Sequence, residues 1–314
     1  MSTVINQQTE LALDSNQGAV VAKVVDEFNR TMRHVQSSWL RIIEGEFNRQ
    51  VNTPDQVPGG LVEYLMALAN DQVKSADFTE ALSTRLESLV SDKYKAPIAE
   101  KLNDAMDGYL EVAKRCIQIL IDTIFNDIKP AVRILFTTSW YVDEPIHQII
   151  ETISDYMGDY QARLSPSLFD LLVDDIVDTF LITYLAALRR ATKLKIPSAV
   201  TKMREEVKRA FEFFTQYKPQ NELEQYFEVV SLTADHISGV SYQADYPSYD
   251  SARSLYPDTV GLQTDVLPRL SRFRKTVRNS KHSSVCGGTA AGQGRYGQVG
   301  RQGHRKPRFK LLPN

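Results

Sequence analysis

Apolar side chains recur along this chain at three- and four-residue steps, the spacing that collects them on one face of a helix. In the first stretch Val21, Val25, Phe28, Met32, Val35, Trp39 and Ile42 follow strict four-three spacing, the seam of a coiled coil or bundle helix. Val24, Ile43 and Phe47 widen that seam into a core-facing stripe. The run Asn52-Thr-Pro-Asp-Gln-Val-Pro-Gly-Gly should end it, because proline removes a donor and pushes the preceding residue away from helical angles.

The pattern continues in segments. Leu61, Tyr64, Leu65 and Leu68 predict a short helix, and Phe78 to Val90 a separate one through Leu82, Leu86 and Leu89. Pro97 fits the first turn of the next helix, where its missing N–H costs little. That helix runs through Ile98, Leu102, Met106, Tyr109, Val112, Ile117, Leu120, Ile124 and Ile128 toward Val132, with Pro130 as its end or kink. Asp143-Glu-Pro opens another through Ile146, Ile149, Ile150, Ile153 and Met157, and Ser165-Pro-Ser is a loop and cap signal. Leu168 to Leu188 is apolar over more than half its circumference, so it should be buried on more than one side. Arg189, Arg190, Lys193 and Lys195 follow it, suiting the negative pole of the helix. Ile196-Pro-Ser starts a helix through Val200, Met203, Val207, Ala210, Phe211 and Phe214; Lys218-Pro-Gln breaks it, and Leu223, Tyr226, Phe227 and Val230 begin one more.

No sustained alternation argues for a strand, and no repeat of fixed period stands out. Short connections between amphipathic helices imply antiparallel neighbours. The expected fold is all-α: an elongated stack of antiparallel helical bundles with a disordered basic carboxy-terminal tail. Residues 1–18 are expected to be a flexible amino terminus and 19–232 a helical-bundle rod, divisible into two sub-bundles. An irregular linker over 233–267 and a Gly/Arg-rich tail over 268–314 complete the division.

Composition adds one sharp fact. The chain has 314 residues with 37 Lys plus Arg against 39 Asp plus Glu. From Pro268 to Asn314 there are 12 basic residues and no acidic one, so 25 basic and 39 acidic residues remain before it, a difference of −14. The apolar and charged fractions, 42% and 24%, exclude a wholly disordered or collagen-like chain. The longest uncharged apolar stretch, Thr179 to Leu188, is too short to cross a bilayer. The first residues carry no basic region or apolar core, so no secretory signal is expected. Cys116 and Cys286 supply neither a disulfide framework nor zinc spacing. A reducing, cytosolic setting is the default.

Candidate chemistry is sparse. Asp170, Asp174 and Asp178 share one helix face. A carboxylate-bundle metal site needs a Glu-x-x-His unit on each of two partner helices, and the chain has one, Glu144-x-x-His147. A solvated acidic face near a helix amino terminus is the better reading. Gly292-Gln-Gly-Arg-Tyr-Gly297 matches the dinucleotide fingerprint in letters only, since neither strand, helix nor later acid surrounds it. Cys116 lies among Ile117, Ile119 and Leu120, as a core residue would. His34, His147 and His236 are scattered, and His282 and His304 fall in the tail. Neither a nucleophile elbow nor a phosphate-cradling loop occurs. No catalytic, cofactor-binding or metal residue is therefore assigned, and no enzyme activity is expected. The tail interleaves Arg and Gly with Phe273, Tyr296 and Phe309. Such segments can bind nucleic acid through charge and stacking, or anionic lipid through charge alone.

Several phrases are less generic. Gly60-Leu-Val-Glu-Tyr-Leu-Met-Ala-Leu-Ala-Asn70, Leu164-Ser-Pro-Ser-Leu-Phe-Asp-Leu-Leu-Val-Asp174 and Lys195-Ile-Pro-Ser-Ala-Val-Thr-Lys-Met-Arg204 resemble the carboxy-terminal half of the exocyst complex component 3 family. So does Phe211-Glu-Phe-Phe through Glu222-Leu-Glu-Gln-Tyr-Phe-Glu-Val-Val230. The resemblance covers about 19–232. Beyond it the chain departs from the family, as a retained intron or shifted reading frame would make it do.

The resemblance implies a non-enzymatic scaffold that tethers secretory vesicles to the plasma membrane. Its partners would be the other exocyst subunits and SNARE proteins, with peripheral membrane association. It implies no cofactor, and a cytoplasmic location with recruitment to exocytic sites. Nucleic acid is not expected as a partner. An RNA-binding adaptor acting through 268–314 is the alternative of another class, and a metal-dependent enzyme built on the Asp170 face is a further one.

Overall fold

The computed structural model describes residues 2–15, 17–52 and 60–242, and those residues form nine helices and no strand. They are α1 (Ser2–Asp14), α2 (Gly18–Asn52), α3 (Leu61–Leu89), α4 (Asp92–Asp127), α5 (Lys129–Ile134), α6 (Pro145–Arg163), α7 (Pro166–Arg189), α8 (Ser198–Phe214) and α9 (Gln220–Tyr242), with a 3₁₀ turn at Ser139–Tyr141. The expected all-α bundle fold is the observed one. Residues 243–314, including the basic tail, Cys286, His282, His304 and the Gly292–Gly297 run, lie outside the described residues.

Helix α4 is the axis. At about 1.5 Å per residue it is about 54 Å long, and α2 and α3 both lie along it. Its carboxy-terminal half is buried nearly all round, through Val112, Cys116, Ile117, Ile119, Leu120, Ile121 and Ile124. The reason is a change of neighbours: α6 and α7 close on the same helix that α2 and α3 line. Helix α1 packs on α2, α8 pairs with α9, and α9 leans on α7. The connections are as short as Val90-Ser91 between α3 and α4 and Leu164-Ser165 between α6 and α7. Such turns force antiparallel neighbours.

Five expectations need correction. The first helical seam keeps Val21, Val25, Phe28 and Met32 buried but then drifts: Ile43 is fully buried while Ile42 is 46% exposed. A straight helix with 3.6 residues per turn falls behind a seven-residue repeat by about 20° per heptad. After three heptads the core face has moved on by one residue. The two helices expected over 61–90 are one, α3. Its middle is buried through Ala69, Gln72, Val73, Ala76 and Thr79, mostly small or polar residues that a search for large apolar side chains passes over, and α4 is its main neighbour.

Pro97 is the sixth residue of α4 rather than a first-turn residue. There it deprives one carbonyl of its donor close to the helix start. The segment expected to be flexible, 1–18, holds α1, with Ile5, Thr9 and Ala12 buried. Its large side chains mislead, because Val4 and Leu11 are about two-thirds exposed at 60% and 63%. At the other end α9 runs to Tyr242, past the expected boundary at 232, with Ala234 buried.

Candidate functional site

The acidic face of α7 has a partner that spacing does not reveal. Lys218, in the turn between α8 and α9, is 5% exposed at its side chain and sets Nζ 2.6 Å from Asp170 Oδ1 and 3.0 Å from Asp174 Oδ1. Burial works against the ammonium, but the hydrogen bonds to the two aspartates outweigh it and hold its pKa above the ordinary lysine value. Asp170 and Asp174 are thus neither a metal pair nor a fully solvated face. They anchor the α8–α9 turn to α7. Asp178 has an interaction of its own.

A second polar centre lies where α7, α8 and the Phe136–Val142 turn meet. Glu206 of α8 is 4% exposed. Its Oε1 accepts from Trp140 Nε1 at 2.8 Å and its Oε2 from Tyr184 Oη at 2.7 Å. Burial raises the Glu206 carboxyl above its ordinary range, while those two hydrogen bonds pull it back. Phe136 takes a left-handed conformation, φ 62°, which turns its ring onto Trp140 at 4.6 Å and Tyr184 at 5.0 Å. Phe180, Phe214 and Phe227 extend the aromatic cluster. The carboxylate fixes the orientation of two large rings. Both its oxygens are occupied, and the surroundings are closed.

The remaining candidates behave the same way. Arg209 Nη1 lies 3.3 Å from Glu144 Oε2 and 3.1 Å from His147 Nδ1, so the single Glu-x-x-His unit is bound to a cation already. Burial pushes the Cys116 thiol up to about 12, which makes it a core side chain and a poor nucleophile. His34 and His236 are exposed on separate helices, α2 and α9. Among the described residues, no three His, Cys, Asp or Glu side chains come together as a metal cluster.

Sequence reasoning missed other helix locks. Asn70 of α3 receives the Ser165 N–H at 2.8 Å and donates to the Arg163 carbonyl at 2.8 Å, clasping the α6–α7 turn. Gln36 of α2 donates to the Ala105 carbonyl of α4 at 2.8 Å. Gly108 leaves the space that Gln36 and Arg33 fill. Arg115 of α4 holds Glu44 of α2 and lies 3.4 Å from Asp122. The written signal for Gln36 is a polar residue at a core position, which reads as an interruption until the partner helix is known; Asn70 is only half-buried and carries no such signal.

The surface supplies what the interior does not. Tyr64 and Ile42 are 40% and 46% exposed beside Trp39, whose ring lies 6.1 Å from that of Tyr64. An open apolar groove of about 370 Å³ runs between α1 and α2, lined by Val4, Ile5, Val20, Val24, Phe28 and Met32. Extended helix ridges of this kind fit partner helices. No helix among the described residues is long and apolar enough to cross a membrane.

Polar clusters spent on joining helices, with apolar side chains such as Ile42 and Tyr64 left outside, define a helical-bundle protein. The comparisons with known proteins agree. The family model described as Exocyst complex component Sec6 matches residues 1–259. The chain therefore belongs to the exocyst complex component Sec6 family. The match extends past 232, the expected end of the resemblance.

Among relatives, the chain is 34% identical over 167 residues to "Exocyst complex component SEC6" of Saccharomyces cerevisiae, covering 49% of this chain and 21% of that protein. It is 30% identical over 155 residues to "Exocyst complex component sec6" of Schizosaccharomyces pombe, again over 49% and 21%. The chain thus spans about a fifth of the length of the curated relatives it matches. The crystal structure of the C-terminal domain of the exocyst subunit Sec6p shares its fold, with a TM-score of 0.70 over 92% of this chain and 81% of that one, at 24% identity.

Proposed function

We propose that this chain is a non-enzymatic scaffold of the exocyst, the counterpart of component 3 in the resemblance. In this reading it tethers secretory vesicles to the plasma membrane by packing its helices against other exocyst subunits and SNARE proteins. It would work in the cytoplasm and be recruited to exocytic sites. The observation that carries the reading is the Sec6 family match over 1–259. The architecture supports it: polar groups that sequence reasoning flagged as chemical lock helices to one another, and apolar side chains such as Ile42 and Tyr64 face outward.

Affinity capture of the full chain from cell extract, followed by mass spectrometry, tests it. Recovery of the other exocyst subunits in constant proportion is the expected result. Capture that returns none of them, with the protein folded, rejects the scaffold reading.

A further inference from the structure

The acidic body contains one stretch of the opposite character. Between Asp178 and Glu205 stand six Lys or Arg residues and no Asp or Glu. Two of the six are engaged: Arg204 pairs with Asp235 at 2.6 Å, and Lys202 donates to the Asp143 carbonyl at 3.1 Å. The other four, Arg189, Arg190, Lys193 and Lys195, are exposed at the end of α7 and in the loop that follows. None of the four is within ion-pair distance of a carboxylate among the described residues.

This loop is tied to a second one. The Lys195 backbone N–H donates to Tyr141 Oη at 2.8 Å, and its Nζ lies 5.2 Å from the Tyr141 ring centre. Each member of the tie has an exposed aliphatic neighbour in the chain. Val142 is 85% exposed, more than any other large apolar side chain described, and Ile196 is 39% exposed. Four uncompensated cations and two outward aliphatic side chains therefore share one end of the bundle.

We propose that this end, built from the α7–α8 loop and the Tyr141–Val142 turn, docks on an anionic membrane surface. Cations bring a protein to a negatively charged leaflet, each strengthening binding by about fivefold, and shallow apolar side chains enter the boundary below the headgroups. Val142 stands on a protruding turn. An acidic peptide would need a groove to lie in. A nucleic acid would want aromatic platforms facing out, whereas Tyr141 is already under Lys195. The proposal deepens the tethering reading by giving it a lipid-facing surface. Its test contains only protein and lipid, so its failure leaves the recovery of partner subunits untouched.

The full chain is floated with phosphatidylcholine vesicles containing about one-third phosphatidylserine, and with phosphatidylcholine alone. Salt-sensitive binding to the mixed vesicles only is expected. The combined variant R189Q/R190Q/K193Q/K195Q should weaken it at least about thirtyfold, and Val142→Asp about fivefold, with the thermal midpoint of each unchanged. A combined variant that binds as the parent does, leaving residues 268–314 to carry the affinity, overturns the proposal. So does a parent that captures polyglutamate through these four residues but leaves the vesicles unbound.

Discussion

Two regions of the bundle are stabilised differently. Along the amino-terminal half of α4, α2 and α3 contribute a long seam of modest side chains, and polar ties such as Asn29–Asp104 and Gln36–Ala105 fix the register of α2. In the other region, α7, α8, α9 and the Phe136–Val142 turn form a compact aromatic cluster centred on Trp140, Tyr184 and Phe214, all fully or nearly fully buried. A seam distributes its stabilisation over many positions. A cluster concentrates it in a few, so the second region should be far more sensitive to single substitutions.

The largest expected effect tests that concentration. Trp140→Ala removes a fully buried ring and one of the two donors to Glu206, so it should cost about 5 kcal/mol in urea unfolding. A loss under about 2 kcal/mol would place the ring outside the essential core. In the seam the contrast lies between neighbours. Ile43→Ala should cost about 3 kcal/mol and Ile42→Ala well under 1 kcal/mol, measured as shifts of the denaturation midpoint. The reverse order would mean that α2 supercoils and keeps the seven-residue register.

Lys218→Met comes next. It strands Asp170 and Asp174 against α9, and because both remain partly solvated the expected cost is about 2 kcal/mol. A neutral result would reduce the clasp to decoration.

Glu206 supplies a pH test. Its carboxyl is raised first by burial, with Tyr184, Trp140, Lys202 and Arg209 opposing. A raised acid holds its proton more readily in the folded state than in the unfolded one. Its stabilising contribution is complete below the ordinary glutamate value of 4.5 and is lost as pH rises through the folded value. Glu206→Gln should therefore gain stability relative to the parent as pH rises from 4.5 through the folded value, read from urea midpoints at each pH. A constant offset would show that the carboxyl titrates normally. Smallest of all, Arg30→Ala should leave the midpoint unmoved, because the Arg30–Glu27 pair on the α2 surface is fully solvated.

Much of the helical plan was legible in the chain. Pro130, Glu144-Pro145 and Ser165-Pro166 mark real boundaries, since each proline sits in the first turn of α5, α6 or α7. The breadth of the apolar face correctly placed α7 deep in the bundle. Helix α1 was illegible because its buried face contains Thr9 and Ala12, while its conspicuous Val4 and Leu11 look outward. The break proposed inside α3 failed for a related reason: its middle is buried through mostly small or polar residues.

Helicity and helix count to a first approximation follow from local chemistry: spacing and proline. Partnerships do not. That Lys218 would neutralise the α7 aspartates, that Glu206 would orient Trp140 and Tyr184, and that Lys195 would meet Tyr141 were settled only when helices far apart in sequence packed together. A periodic stripe specifies that a face is buried, because water rejects apolar surface wherever it lies. The identity of the facing helix depends on shape and on polar groups finding one another, and both are properties of the assembled bundle.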